Sequence, residues 1–349
     1  MKARLILENG VIFEGKAFGH LREIVGEVVF NTSMTGYQEI ITDPANHGQI
    51  ITMTYPLIGN YGINLDDMES DGAKIKGLIV REKADFPSNW RNEMELHGYM
   101  KQNRVLGLEG IDTRALTKII RDNGTMVGII TLRELSPSQI EQKFETYHNK
   151  GAVEQVSLAE KYTIDGSGKH LAIVDFGIKR SIINILKSMG FKLTIYPFNT
   201  SNEEILMDNP DGIILSAGPG NPKDSSEIIN NIKGLLDKKP ILGFGLGHQL
   251  LVLGLDGDTE KLKYGHRGSN HPVKDLFNNR ILITSQNHGY VVNEDLPENL
   301  VVTYRNINDG TIEGFKHKIL PIMGVQFSPE AYIFEEFIGM LGGFEDAKR

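Results

Sequence analysis

Apolar and polar positions in the first 150 residues mix two periods. Leu5-Ile6-Leu7, Val11-Ile12-Phe13 and Glu27-Val28-Val29-Phe30 are short apolar runs between Gly and Asn turn signals, and they predict strands. Residues 49–55 alternate and are rich in β-branched side chains, as a half-buried strand should be; Pro56 ends them. Residues 112–121 carry apolar side chains at helical spacing, with Asp112 placed to cap and Asn123-Gly124 to stop. Residues 151–168 show no period and contain Asp165-Gly166-Ser167-Gly168, which predicts a linker.

From His170 the pattern becomes a regular alternation. Apolar runs at 171–174, 192–195, 212–215 and 241–242 alternate with amphipathic segments at 181–189, from 202, at 226–236 and from 249. Strands alternating with helices predict a doubly wound parallel sheet, with ligands bound at the carboxyl ends of the strands. Those ends are residues 175–177, 216–221 and 243–247. Further strands at 280–285, 300–304 and 322–327 complete the sheet or add a ribbon. The fold class predicted is therefore α/β: an N-terminal mixed α/β domain at 1–150, a linker at 151–168 and a doubly wound domain at 169–349.

The stretch with most chemical content is Gly243-Phe244-Gly245-Leu246-Gly247-His248-Gln249. It follows a buried strand and opens a helix. Such a turn lifts one residue out at the head of the sheet and aims backbone N–H groups of the helix start at whatever sits there. The lifted residue is normally a nucleophile; here it is Gly245, which has no side chain. A dinucleotide loop does not fit, because the spacing is G-x-G-x-G and the turn is not the first of its domain. His248, His266, His271 and His288 lie in the second half without an H-E-x-x-H or cysteine cluster, which argues for packing roles over a zinc hydrolase. A serine hydrolase built on Ser216 or Ser328 lacks a partnered elbow.

Composition narrows the field. At 349 residues the chain has room for two cores. Its 45 acidic against 37 basic residues leave a net charge of −8, which disfavours nonspecific nucleic-acid and anionic-membrane binding. The N-terminal apolar run is too short for a signal peptide, and no run approaches the ~18 apolar residues of a membrane span, so a cytoplasmic location is expected. Cysteine is absent, which excludes disulfides, thiolate metal sites and a cysteine nucleophile.

The motif at 243–249 resembles the G-x-C-x-G-[HQ]-Q elbow of class I glutamine amidotransferases, with Gly245 in the cysteine's place. Residues 31–40 (NTSMTGYQEI), 54–62 (TYPLIGNYG), 110–114 (GIDTR) and 175–180 (DFGIKR) resemble the small, glutaminase subunit of carbamoyl-phosphate synthase. So do Ser216-Ala217-Gly218-Pro219-Gly220-Asn221-Pro222, residues 265–272 (GHRGSNHP) and 285–290 (SQNHGY). The resemblance covers nearly the whole chain. It implies a class I amidotransferase-like second domain and a first domain that docks on a large subunit in a heterodimer. The family's glutamine contacts fall on Gly218, Gly220, Leu246, Gln249, Asn287, Gly289 and Tyr290. Ala45 stands where the family has a serine whose hydroxyl helps bind L-glutamine.

In Gly324-Val325-Gln326-Phe327-Ser328-Pro329-Glu330-Ala331, the family's base histidine is replaced by Ser328, while the orienting Glu330 remains. A Pro/Gly-rich stretch that the family carries soon afterwards is missing. A thiolate must attack the amide and an imidazole must activate it, and serine has no usable pKa near 7. The resemblance therefore implies a pseudoenzyme subunit serving arginine or pyrimidine synthesis. No cofactor is expected in this chain, with ATP and divalent metal on the large subunit. The alternative is a subunit that still hydrolyses glutamine and supplies ammonia.

Overall fold

Every second residue of the opening strand, Ala3, Leu5 and Leu7, is buried, and this alternation curls the sheet around its own interior. The strands β1 (Lys2–Leu7), β2 (Ile12–Gly19) and β3 (Ile24–Asn31) lead to helix α1 (Tyr37–Thr42) and β4 (Gln49–Met53). The two-residue strand β5 (Leu57–Ile58) and β6 (Gly77–Ile79) follow, then β7 (Glu82–Lys83), which pairs with β5. Next come α2 (Leu96–Gln102), β8 (Leu106–Glu109), α3 (Thr113–Asn123), β9 (Met126–Thr131) and α4 (Pro137–Glu145). Seven strands close into a barrel of order β1-β2-β8-β6-β4-β3-β9, so no long edge is left unpaired. Leu5, Leu7, Val28, Ile50, Leu106 and Ile130 share one core with Leu116 and Ile120 of α3. The α3 limits are those the sequence predicts: the Asp112 carboxylate accepts from Ala115 N at 2.9 Å, and Gly124 ends the helix at φ +94.

The computed structural model describes residues 1–347. It forms two units, the first comprising Met1–Lys150 with Lys263–Gly268 and the second comprising Gly151–Leu262 with the residues from Ser269 onward.

In the second unit the elements are β10 (Tyr162–Ile164), β11 (His170–Asp175), α5 (Arg180–Ser188), β12 (Lys192–Pro197), α6 (Asn202–Met207), β13 (Gly212–Leu215), α7 (Ser226–Lys233), β14 (Ile241–Phe244) and α8 (Leu246–Gly254). They are followed by β15 (Thr259–Asp275), β16 (Arg280–Val292), β17 (Leu300–Asn306), β18 (Ile312–His317), β19 (Ile322–Val325) and α9 (Ala331–Ala347). The sheet order is β10-β12-β11-β13-β14-β19-β18-β16-β15-β17. Strands β12, β11, β13, β14 and β19 are parallel neighbours, as the alternating pattern predicts. Their side chains divide with period two. Ala172, Val174, Ile213, Leu215 and Ile241 pack with Ile228 and Ile232 of α7 and Leu250 of α8. Leu171, Ile173, Ile214 and Leu242 pack with Ile182 and Leu186 of α5 and Phe334 and Phe337 of α9. Burial on both faces explains why these strands read as continuous apolar runs.

The predicted linker is corrected. Tyr162–Ile164 is an edge strand pairing antiparallel with β12, Thr163 opposite Thr194 with their hydroxyls 3.1 Å apart. A three-residue strand is too short to show a period. The Gly-Ser-Gly that reads as flexible is instead a close approach of two backbones: a Cβ on Gly166 would lie 2.1 Å from Phe191 O, and one on Gly168 2.9 Å from Gly190 O. Strands β15 and β18 were also absent from the expected set. The first is long and largely polar, with no apolar run to announce it.

Because the atoms facing Gly166 are backbone, Gly166→Ala should destabilise the chain by about 1–3 kcal/mol as an overpacked site. Exposed Ser167→Ala should stay within about 0.5 kcal/mol. Urea denaturation of both variants checks this; equal midpoints would show that the segment is loose.

Candidate active site

Three loops leave the carboxyl ends of β11, β13 and β14 and hold one another. After β11, the Asp175 carboxylate accepts from Gly177 N (2.9 Å) and Ile178 N (2.7 Å) through one oxygen and from Leu158 N (2.8 Å) through the other. This turn delivers Lys179 to the start of α5. After β13, the fully buried Ser216 accepts from Phe176 N at 2.9 Å and donates to Ala217 O at 2.9 Å, tying its loop to the one after β11. Its carbonyl accepts from Gly247 N at 2.9 Å, tying it to α8.

The three alternating glycines answer to different demands. Gly243 and Gly247 are glycines of close approach. A Cβ on Gly247 would lie 2.1 Å from Leu215 O, and one on Gly243 would lie 2.6 Å from Gly247 O. Gly245 is a glycine of conformation, at φ 56 and ψ −117, its N–H donating to Val325 O at 3.0 Å. That backbone is disfavoured for any residue with a Cβ. A Cβ there would also stand 2.8 Å from the Cβ of Ala217. Gly218 lies in the loop after β13, where a Cβ would meet Phe176 O at 2.3 Å, and Gly220 holds φ +93.

The remaining expected residues fall as follows. Leu246 and Gln249 are buried in the first turn of α8. Gln249 Nε2 donates to Tyr290 O (2.7 Å) and to Gln326 Oε1 (3.0 Å), joining the helix to β16 and to the end of β19. Asn287, Gly289 and Tyr290 lie together on β16. His288 between them has Nδ1 2.9 Å from Tyr290 O and Nε2 3.0 Å from Gln286 Oε1. Strands β14 and β19 are parallel with Phe244 opposite Val325, so Gly245 and Ser328 leave the sheet at the same end. Ala45 belongs to the first unit, in a 3-10 turn where its N–H donates to Asp43 Oδ1 at 2.9 Å.

Ser328 is held at both ends: its N–H donates to Ser285 O at 3.0 Å, and its hydroxyl accepts from Lys179 Nζ at 3.2 Å. Glu330 is exposed just before α9, and the side-chain partner of Ser328 is Lys179 rather than this carboxylate. In the sequence Lys179 is one letter of the 175–180 segment and Ala217 one letter of the 216–222 turn. Neither has chemistry that its neighbours in sequence reveal.

Two family models match the chain. Residues 5–130 match the carbamoyl-phosphate synthase small chain, CPSase domain, and residues 172–341 match the class-I glutamine amidotransferase. A carbamoyl phosphate synthase small chain of Clostridium perfringens is 60% identical over 346 residues, spanning 97% of this chain and 99% of its own. The chain belongs to the carbamoyl phosphate synthase small chain family. A pyrimidine-specific small chain of Bacillus subtilis is 49% identical over 350 residues, covering 98% of this chain and 96% of that one. Family membership accounts for the amidotransferase-like sheet and for the resemblance at both ends of the chain. Among the described residues no helix is long and apolar enough to cross a membrane.

Gly245→Cys should destabilise the chain by about 1–3 kcal/mol, because a Cβ is placed both in a strained backbone and against Ala217. Adding Ala217→Gly should recover part of that loss and leave the backbone share. A double-mutant cycle from thermal melts reads the coupling; simple additivity would show that Ala217 does not obstruct the position.

His248 is fully buried against Phe315, ring centroids 5.2 Å apart, and burial pushes its pKa down to about 3. The folded chain holds the ring neutral, whereas the unfolded chain protonates it near the ordinary value of about 6.5. The unfolded state therefore binds more protons below that value, and stability falls as pH drops from about 6.5 towards 3. His248→Gln should flatten this acid slope by up to one proton, or about 1.4 kcal/mol per pH unit. Denaturation midpoints at pH 7, 5 and 4 test it; an unchanged slope would mean that the ring is protonated in the folded chain.

Proposed function

We propose that this chain is a carbamoyl phosphate synthase small chain whose glutamine site no longer hydrolyses glutamine, and which serves as the partner of a large ATP-dependent subunit. The observation that carries the reading is the backbone of residue 245. The turn has the form that presents a nucleophile, yet glycine occupies it, and Ala217 stands in the space a side chain would enter. Amide hydrolysis on this scaffold needs a thiolate to attack the carbonyl and an imidazole to take the thiol proton and return it to departing ammonia. Gly245 offers no nucleophile. Ser328 offers no base, and its hydroxyl is engaged by Lys179.

The binding half of the chemistry is better kept. Gly218 and Leu246 lie where backbone amides stabilise an oxyanion in the family, and Gln249, Asn287, Gly289 and Tyr290 occupy the positions that hold glutamine. The complex then runs on free ammonia, with ATP and divalent metal on the large subunit, feeding arginine or pyrimidine synthesis. The matched sequence of the first unit, retained over residues 5–130, supports continued association.

The purified chain, alone or with the large subunit, should release no measurable ammonia from glutamine, since losing a hydrolase nucleophile costs on the order of a million-fold. The complex should make carbamoyl phosphate from ammonium. Gly245→Cys with Ser328→His, in an Ala217→Gly background, should restore detectable hydrolysis when neither single change does. Steady glutamine hydrolysis by the unaltered chain would overturn the reading.

A further inference from the structure

The first unit carries a second feature that its family resemblance leaves unexplained. Strands β3, β4, β6 and β8 are consecutive parallel neighbours of the barrel, so all four begin at the same end. The register sets Ile50 beside Gly77 and Gly77 beside Leu106. Residues just before those strands are therefore brought side by side: Arg22 before β3, His47 before β4, Lys74 and Lys76 before β6, and Arg104 before β8. Each carries or can carry positive charge, in a chain whose net charge is −8.

His47, Lys74 and Lys76 are half-buried, whereas Arg22 and Arg104 are exposed at the rim. Lys76 Nζ lies 5.5 Å from the ring centre of Tyr147, and Tyr147 is itself fixed by accepting from Glu27 N at 3.1 Å. Asn149 packs over the start of β4, its Oδ1 2.4 Å from where a Cβ of Gly48 would be, and Gly48 holds φ +81. Arg104 adopts a left-handed backbone, φ 56, a conformation that favours glycine or asparagine. Lys76 and His47 are half-buried, and burial makes both harder to protonate. The charges that act on His47 are Lys76 and Lys74, and the one that acts on Lys76 is Arg22; no carboxylate is among them. Nearby acidic groups are engaged elsewhere. Glu27 accepts from Thr125 and Gln49, and Glu23 is taken by Lys143 and Arg133.

Like charges held together in a recess repel one another unless an anion joins them. Adjacent strands lie about 4.8 Å apart, so cations on three neighbouring strands span roughly 10 Å. That length suits an anion whose charge is spread over two or more groups rather than a single carboxylate. We propose that this end of the barrel, built on His47, Lys74, Lys76 and Arg104, binds a phosphorylated small molecule of the di- or triphosphate class. The proposal does not depend on whether the glutamine-type site is active.

The test uses the whole chain and sodium pyrophosphate at constant ionic strength, by titration calorimetry and by NMR of the His47 ring. Sub-millimolar binding with a shift of the His47 signals is expected. Lys74→Ala/Lys76→Ala should weaken it at least tenfold with the melting temperature little changed, and Lys74→Gln/Arg104→Gln is the second variant should the first not fold. Lys2→Ala should bind as the parent does. No heat at millimolar pyrophosphate, equal affinity in the charge variants, or equal binding of sulfate would each overturn the proposal. So would a weaker association of the charge variants with the large subunit without any pyrophosphate effect, which would assign the cluster to an acidic protein face.

Discussion

The close approach of α8 to β13 is the constraint on which the second unit's candidate site depends. Gly247 lets the helix backbone rest on Leu215, and its N–H reaches Ser216 O. With the helix that near, the chain leaving β14 has one residue in which to reverse, and it does so at a positive φ. Ser216 then joins the same cluster to the loop after β11 through Phe176 N. A side chain on Gly247 would force the helix off the sheet and take the Gly245 turn and the Ser216 network with it. None of these contacts uses a side chain at 245, so the architecture stands with glycine there.

Conversely, the architecture explains why glycine is comfortable at 245. An elbow residue with a Cβ stores strain of about 1–3 kcal/mol, which only a catalytic requirement keeps in place. Glycine avoids the strain, and Ala217 lies 2.8 Å from where a Cβ would be. Ser328 is likewise satisfied within the fold. A hydroxyl at the base position needs a partner, and Lys179 supplies one from the turn after β11. Both positions are thus held by packing and hydrogen bonds within the fold.

Much of this was legible in the pattern of residues. The short apolar run of β1, the cap and stop of α3, and the alternation from His170 onward each follow from rules that act over a few neighbouring residues. The glycine-rich turn at 243–247 was legible for the same reason: strand, turn and helix are contiguous. The segment at 151–168 was misread because its order comes from contact with β12 and with the backbone of residues 190–192, which are distant in sequence. Strands β15 and β18 were missed because their partners in the sheet, not their own composition, make them strands.

The sequence by itself determined that cysteine chemistry is absent, that a sheet of parallel strands follows His170, and that the expected nucleophile and base positions hold Gly245 and Ser328. Those are statements of identity and local order, which side-chain chemistry and short-range periodicity settle. Only the tertiary structure decided that Ala217 stands against residue 245, that Lys179 is the partner of Ser328, and that basic residues from four segments lie at one barrel end. Each of these joins residues far apart in the chain. Strand register and helix-to-sheet distance set such meetings, and both arise from packing the whole core rather than from any one stretch of it.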